Sequence, residues 1–262
     1  SAGAKPMSGK WPFLLTSLFL QAAPDLVLWS WDYPQDLSFL KNEKTRVAYY
    51  AGTATLRGQR VFFQSATKTL KIPDNIETFP VLRIETKAAA LTPEQSQAVS
   101  DIALKILHRN KAEHIQIDFD AAQDERPFYL TLLQELRRRL DELQKQEKHQ
   151  QEQPKQRLAS SNRTTIGITS LASWSTDNWL PIEICDERVT MLFSLGKLGK
   201  SDLETFTRQK PQTIGIGTWE EAVNHRLKEL GTLKAARTIY LFNAHPWTKE
   251  SFDHAKEILR NN

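Results

Sequence analysis

The stretch His114-Ile-Gln-Ile-Asp118-Phe-Asp120-Ala121 decides the fold. Side chains alternate across a β-strand, so the apolar residues of this stretch share one face and Gln116, Asp118 and Asp120 share the other. Burying carboxylates without partners costs several kcal/mol or shifts their pKa values. We therefore expect the strand to end at a solvent-accessible pocket, with Asp118 and Asp120 as the first candidates for chemistry.

Strand-like runs of this kind recur along the chain, and helix signals separate many of them. Several runs are continuously apolar, which is typical of parallel strands covered by helices. The eight runs are Leu26–Trp31, Arg46–Ala51, Val81–Thr86, Ile115–Asp120, Thr164–Leu171, Val189–Phe193, Thr213–Gly217 and Thr238–Asn243. Capping patterns at Thr92, Ser201 and Thr218 predict helix starts, and Thr248 opens the last helix.

Eight strands with intervening helices predict an α/β fold, a (β/α)8 TIM-like barrel, with irregular or short helices after strands 1, 2 and 5. A hairpin around Arg57-Gly58-Gln59 follows the second strand. An open doubly wound sheet is the alternative, although no glycine-rich phosphate loop supports it. We expect one barrel domain over residues 25–262, with a polar helical insertion around 144–162.

Residues 1–24 form an N-terminal extension in this reading. Ser1–Pro6 resembles a tag remnant, and Pro12–Leu20 is a short apolar run that resembles a weak signal peptide. A short helix closing one end of the domain is the alternative. The first reading predicts a location outside the cytoplasm and the second a cytoplasmic protein. The run is too short to span a bilayer, and no other transmembrane segment is expected.

Composition excludes several classes of function. The 262 residues are 25% charged with a net charge of +4, an ordinary globular balance. Cationic clusters such as Arg137-Arg138-Arg139 lack interleaved aromatic residues, so we expect solvated helix faces rather than a nucleic-acid surface. Cys185 is the only cysteine, and no zinc-ligand spacing occurs. No cofactor and no metal are predicted, and the oligomeric state is left open.

In a (β/α)8 barrel the active site lies at the C-terminal ends of the strands, where polar and aromatic residues collect in this sequence. Arg83 and Glu85 share a face at the end of the third strand, next to the fourth strand with its two aspartates. The candidate catalytic residues are Asp118, Asp120 and Glu85. The candidate substrate-binding residues are Arg83, Trp29, Trp31, Asp32, Trp174, Asn243, His245 and Trp247.

Clustered carboxylates push each other's pKa values apart, and an arginine keeps one of them ionised. Glycoside hydrolysis needs one protonated acid and one carboxylate nucleophile or base. We expect Asp118 or Asp120 to be the nucleophile or base and Glu85 the proton donor, with tryptophan faces stacking on a carbohydrate or another small polar ligand.

Other readings of the same residues stay open. Arg83 can form a structural ion pair, Trp29 and Trp31 can be barrel packing, His245 can cap the last strand, and Asp120 can cap the next segment. A non-catalytic carbohydrate-binding barrel would keep the aromatic rim without an acid pair. A divalent-metal-dependent hydrolase of another bond would hold Mg²⁺ or Ca²⁺ on the three carboxylates.

The order of several motifs resembles an uncharacterised bacterial family of domains of unknown function. The motifs are Val27-Leu28-Trp29-Ser30-Trp31, Leu82-Arg83-Ile84-Glu85, Ile115–Ala121, Ile168–Trp174, Met191-Leu192-Phe193, and Tyr240–Asn243 with Pro246-Trp247. The resemblance covers about Asp25 to Trp247 and implies a barrel like those of glycosidases, with an acid at the end of the fourth strand. It carries no established activity.

Overall fold

The computed structural model describes residues 23–151, 163–177, 179–195 and 200–260. Its described part contains eleven strands, which alternate with helices in the second half of the chain. The strands are β1 (Asp25–Ser30), β2 (Gln35–Asp36), β3 (Thr45–Gly58), β4 (Arg60–Ser65), β5 (Leu70–Lys71), β6 (Thr78–Ala89), β7 (His114–Asp118), β8 (Thr165–Leu171), β9 (Glu187–Met191), β10 (Thr213–Gly217) and β11 (Thr238–Phe242).

Eight of these strands close into a parallel barrel. They follow one another around it in the order β1, β3, β6, β7, β8, β9, β10 and β11. The barrel closes at β1, where Leu28 pairs with Val47 of β3 on one side and with Leu241 of β11 on the other. These are the eight strands predicted from the sequence, so the barrel prediction is confirmed and the open-sheet alternative is wrong.

Six α-helices surround the barrel in the described residues. They are α1 (Pro93–Asn110), α2 (Arg126–Gln151), α3 (Lys200–Thr207), α4 (Glu221–Glu229), α5 (Thr232–Ala235) and α6 (Lys249–Arg260). The start of α1 follows the sequence rule for a capping box. The Thr92 side chain accepts from the Gln95 backbone N–H, and the Gln95 side chain accepts from the Thr92 backbone N–H.

The helix start predicted at Ser201 adjoins residues 196–199, which lie outside the described ranges, and α3 is described from Lys200 onward. The helix start predicted at Thr218 is wrong in detail. Thr218 does not cap α4, because Glu220 occupies the cap position, without a side-chain hydrogen bond. The Thr218 hydroxyl does not accept from the first turn of the helix as an N-cap would; it donates to the Asn243 side chain, 2.8 Å away, just after β11.

The wall of helices is thin at the three predicted places. Only a 3₁₀ turn at Ser38–Asn42 follows β1, and the 3₁₀ turn Ala172–Ser175 follows β8. After β3 the chain turns back as the antiparallel strand β4, without a helix. Gly58 has a φ of 53° at this turn, a left-handed conformation that glycine adopts at little cost.

The core has layers inside and outside the barrel. The apolar layer inside it is Val27, Trp29, Ala48, Phe79, Val81, Val189, Tyr240 and Phe242. Two larger clusters fill the space between the barrel and its helices, one around Leu133 of α2 and the other around Phe252 of α6. The remaining inward positions, on β6 to β9, carry polar side chains, and these positions contain the candidate site.

Two predicted segments lie largely outside the described residues. The N-terminal extension is described only at Ala23 and Pro24, and the polar insertion only as the last turns of α2, up to Gln151. No helix within the described ranges is long and apolar enough to cross a membrane.

Candidate active site

The two strands that carry the predicted acids are neighbours in the barrel. β6 pairs with β7 in a register that places Arg83 directly opposite Asp118. The Arg83 guanidinium donates to Asp118 over 2.7 Å and to Glu85 over 3.4 Å, and lies 3.9 Å from Asp120. The structure therefore brings all three predicted catalytic carboxylates around a single cation.

Asp118 is the buried anchor of this cluster. Its side chain is only 3% exposed. One carboxylate oxygen accepts from Arg83, and the other accepts from the Thr169 hydroxyl at 2.8 Å. Thr169 faces inward from β8, the next strand around the barrel. A carboxylate held on both oxygens by side chains of two neighbouring strands is well placed to orient Arg83 but has little access to a ligand.

Asp120 and Glu85 are the accessible members. Their side chains are 47% and 40% exposed. Partial removal from water raises the pKa of Asp120 above its usual value. The nearby Asp118 charge raises this pKa further, and the Arg83 charge lowers it. The cluster thus contains one carboxyl that retains its proton to higher pH than an ordinary aspartate.

A short loop after β7 carries Asp120, and a glutamate that the sequence reading missed holds that loop. The Glu125 carboxylate accepts from the Ala122 backbone N–H at 2.8 Å and from the Thr86 hydroxyl of β6. The loop that positions Asp120 is therefore attached to the strand that carries Glu85. Thr169 was missed as well. The alternation in Thr165–Leu171 could have placed it inward, but not against Asp118 in particular.

Of the predicted aromatic residues, Trp31 adjoins the arginine of the carboxylate cluster. The Arg83 guanidinium lies over its ring, 5.9 Å from the centroid, and the ring packs edge-on against Trp29. Trp219 was not predicted as a site residue. It follows β10 with 44% of its surface exposed and packs against Phe193. Aromatic side chains thus occupy the barrel wall across from β7.

Three predicted stacking platforms are not available to a ligand. Trp29 lies inside the barrel, Trp174 packs against Tyr129 outside it, and Trp247 packs against Phe252 of α6. Each is at most 4% exposed. The Trp247 indole N–H donates to the Trp29 carbonyl, so it pins the last loop to β1. The prediction failed because apolar burial outweighs the rim position that the sequence suggested.

The remaining predicted residues lie on the rim without a contact to the carboxylates. Asp32 accepts from the Lys68 backbone N–H at 3.3 Å, which ties the first loop to the segment before β5. Asn243 accepts from Thr218 and donates to the carbonyl of His245, whose side chain is exposed. These contacts organise loops at the same end of the barrel as Asp120.

A second polar cluster lies at the opposite end of β7. His114 contacts the Thr165 hydroxyl at 2.7 Å and lies 3.9 Å from Glu187 of β9, which accepts from the Tyr240 hydroxyl at 2.5 Å. Burial lowers the pKa of His114 to about 4 and raises the pKa of Glu187. Both groups are therefore biased toward their neutral forms.

A cavity of about 950 Å³ lies outside the barrel, between α1 and the β3–β4 hairpin, where a helix after β3 would stand. Tyr49, Phe63 and Lys105 are among its lining residues, and it includes none of the carboxylate cluster. Within the described ranges, no group of three or more histidine, cysteine or acidic side chains could hold a metal ion.

No protein-family model matches this chain, and a search of curated proteins finds no match, so the resemblance to a family of unknown function stays a prediction. Solved structures do match. The catalytic domain of a family GH18 chitinase from the fern Peteris ryukyuensis is 10% identical, with a TM-score of 0.54 over 89% of this chain and 99% of that one.

A chitinase from Chromobacterium violaceum is 12% identical, with a TM-score of 0.55 over 92% of this chain and 100% of that one. An endo-beta-N-acetylglucosaminidase from Cordyceps militaris is 9% identical, with a TM-score of 0.47 over 91% of this chain and 90% of that one. The chain is therefore similar in fold to the glycoside-hydrolase barrels of the chitinases.

Proposed function

We propose that this protein is a glycoside hydrolase that acts on a carbohydrate through the carboxyl groups of Asp120 and Glu85. The observation that carries the proposal is the electrostatic difference within the cluster. Asp120 has a raised pKa, and Glu85, equally accessible on the neighbouring strand, contacts the same guanidinium. An accessible proton donor beside an accessible carboxylate is what glycosidic bond cleavage requires.

The placement of the two groups supports the same proposal. Glu85 lies two residues beyond Arg83 on β6, Asp120 lies two residues beyond Asp118 in the loop after β7, and the two carboxylates are 3.4 and 3.9 Å from the same guanidinium. Neighbouring strands are about 4.8 Å apart. Retaining glycosidases hold their two carboxyl groups about 5–5.5 Å apart. We therefore propose retention of configuration, with Glu85 as nucleophile.

These roles reverse those expected from the sequence. The expected proton donor was Glu85, with Asp118 or Asp120 as nucleophile or base. The raised pKa of Asp120 favours it as the donor instead. Asp118 is 3% exposed and held by Arg83 and Thr169, so we assign it to positioning the guanidinium. The guanidinium in turn contacts the Glu85 carboxylate over 3.4 Å.

Arg83 also bears on the metal-dependent alternative. A divalent ion shared by Asp118, Asp120 and Glu85 would have to bind between them, where the guanidinium already contacts all three. Like-charged groups at such a separation repel strongly in a partly buried site. The arrangement therefore favours acid–base chemistry by the carboxyl groups. The substrate panel includes β-linked N-acetylglucosamine polymers, because the barrel is similar to those of chitinases, beside other neutral and anionic glycans.

The test is turnover of a polysaccharide panel by the full chain and two variants. Asp120→Asn and Glu85→Gln each remove one reacting group, and each should lower kcat by about 10²–10⁴-fold, the usual contribution of an acid or base. Activity of the wild type should fall as the pH rises through the raised pKa of Asp120, because the donor must be protonated.

Asp124→Asn is the matched control, since Asp124 is an exposed acid on the same loop. It should retain full activity and the wild-type melting temperature. If both site variants turn over a substrate as fast as this control, the mechanism is wrong. Binding of glycans without turnover by the wild type would instead establish a carbohydrate-binding barrel.

A further inference from the structure

Two barrel strands extend far beyond the mouth of the barrel. β3 has 14 residues and β6 has 12, whereas β7, the next strand around the barrel, has only 5. The pairing of β3 with β6 continues from Thr53 opposite Arg83 to Arg57 opposite Lys87. With a rise of about 3.3 Å per residue, Lys87 stands about 13 Å further along the strand than Arg83. Together with β4, these strands form a wall beside the carboxylates.

One face of this wall is covered and the other is open. Leu56 of β3 and Ile84 of β6 are buried in the cluster that packs against α1. Side chains alternate, so the residues between them point to the opposite face, which is the face of Arg83 and Glu85. On that face β3 carries Thr53, Thr55 and Arg57, β4 carries Gln64, Phe62 and Arg60, and β6 carries Arg83, Glu85 and Lys87.

The outermost row of the open face is entirely cationic. Arg57 is opposite Arg60 on one side and opposite Lys87 on the other. All three are exposed, and none forms an ion pair with another residue in the described ranges. Like charges directly opposite one another destabilise a sheet. A row of three like charges is costly for the sheet, and it is suited to binding an anionic ligand.

The row next to the site contains an exposed aromatic ring. Phe62 is 51% exposed and lies opposite Thr55, which in turn lies opposite Glu85. Gln64 flanks Phe62 two residues along β4. A single ring face with hydroxyl and amide groups around it suits a sugar ring, which needs both stacking and hydrogen-bond partners. A surface that binds a single nucleic-acid strand usually has several aromatic side chains, on which successive bases stack.

We infer that the open face of this wall binds an anionic polysaccharide, a glycan that carries carboxylate, sulfate or phosphate groups. Phe62 stacks on a sugar unit next to the reacting one, and Arg57, Arg60 and Lys87 bind its acidic substituents. The inference rests on the proposed function for the position of the reacting bond. It adds the class of substrate, which the carboxylate cluster alone does not specify.

Binding is tested by affinity electrophoresis of the full chain in native gels. The gels contain polygalacturonate, chondroitin sulfate or teichoic acid as the carboxylate, sulfate and phosphate sources, or neutral hydroxyethyl cellulose and chitin oligosaccharides. The wild type should be retarded by at least one anionic glycan more than by the neutral ones. The triple variant R57Q/R60Q/K87Q should lose about tenfold or more in affinity, with a weaker salt dependence.

The control variant K44Q/K105Q/R109Q changes the same net charge at exposed positions away from the open face. It should bind like the wild type. An equal loss in both triple variants would mean that only net charge matters, and would overturn the inference. Equal retardation by a single-stranded oligonucleotide through the same three cations would overturn it as well, as would the absence of any retardation by an anionic glycan.

A second pair of variants tests the aromatic contact. F62A and F63A remove neighbouring, similarly exposed rings from opposite faces of the same strand. F62A should weaken glycan binding about fivefold or more, and F63A should not change it. Equal effects would contradict the assignment of the open face.

The outcomes separate this inference from the proposed function. The Asp120→Asn variant should still bind the anionic glycan. Binding through the wall with no turnover of any glycan would refute the proposed hydrolase and leave the inference standing. Turnover of a neutral glycan that R57Q/R60Q/K87Q cleaves as fast as the wild type would refute the inference and leave the hydrolase standing.

Discussion

The two ends of β7 carry polar clusters of similar composition and different character. Both project into the barrel, and both contain a carboxylate with a raised pKa, Asp120 at one end and Glu187 at the other. The upper cluster is arranged around Arg83, and two of its acids are about half exposed. The lower cluster pairs a neutral histidine, His114, with a tyrosine-bonded Glu187, and both are largely buried.

The difference separates the chemical role from the structural one. In the lower cluster burial biases His114 and Glu187 to their neutral forms, and His114 Nε2 has no hydrogen-bond partner in the described residues. The upper cluster instead contains the Arg83 cation, and two of its acids, Glu85 and Asp120, reach solvent. A raised pKa therefore indicates a reactive group only where an accessible surface accompanies it.

Removing the cation of the upper cluster should have the largest effect on stability. Arg83→Met leaves the Asp118 carboxylate, 3% exposed, without its charged partner. We expect a loss of about 3–5 kcal/mol in the free energy of unfolding, measured by urea denaturation at pH 7, because a buried charge is left uncompensated.

Arg138→Met is the control, because Arg138 forms ion pairs with Glu135 and Glu142 on the exposed face of α2. It should cost less than about 1 kcal/mol. Equal losses of stability in the two variants would mean that the buried Asp118 carboxylate does not need the Arg83 charge as its partner.

The lower cluster should have a smaller effect that depends on pH. The folded-state pKa of His114, about 4, lies below its unfolded value of 6.5, so the unfolded chain binds more protons between these pH values. The contribution of His114 to the free energy of unfolding is therefore fully present above pH 6.5 and is lost as the pH falls toward 4. The total is about 3 kcal/mol, since each pKa unit corresponds to about 1.4 kcal/mol. Glu187, whose pKa is raised, acts in the opposite direction.

The His114 contribution is isolated by comparing Glu187→Gln with Glu187→Gln/His114→Asn. The difference between their free energies of unfolding should increase by about 3 kcal/mol from pH 4 to pH 6.5. A difference that stays constant over this range would show that His114 titrates normally. Turnover should not distinguish the two variants.

The smallest effects come from single hydroxyl groups, one in each cluster. Thr169→Val removes the second donor to Asp118, and Tyr240→Phe removes the donor to Glu187. Each should cost about 1–3 kcal/mol, the usual range for a hydrogen bond to a charged or buried acceptor. Only Thr169→Val should also lower kcat/KM. Without the Thr169 hydrogen bond the Asp118 carboxylate can shift, and the Arg83 guanidinium bound to it would shift as well. Equal loss of activity in both would remove the distinction between the clusters.

The barrel and the carboxylate cluster were predictable because both depend on alternation and strand order. Asp118 and Asp120 share a face by spacing alone, and Arg83 meets them because consecutive parallel strands are usually neighbours. The burial of Trp174 and Trp247 was not predictable, since it depends on the distant partners Tyr129 and Phe252. The contact of Thr169 with Asp118 was not predictable either, because the two residues are 51 positions apart in the chain.

The inward face of β7 also has a consequence for folding. His114, Gln116 and Asp118 alternate with Ile115 and Ile117, which are buried outside the barrel. A slip of one residue against β6 would exchange these two sets, since the side-chain period of a strand is two. The contact of Asp118 with Arg83 would be lost at the same time. The ion pair between Arg83 and Asp118 thus also favours the native register of β6 and β7. A chain that closes its barrel out of register cannot assemble the carboxylate cluster.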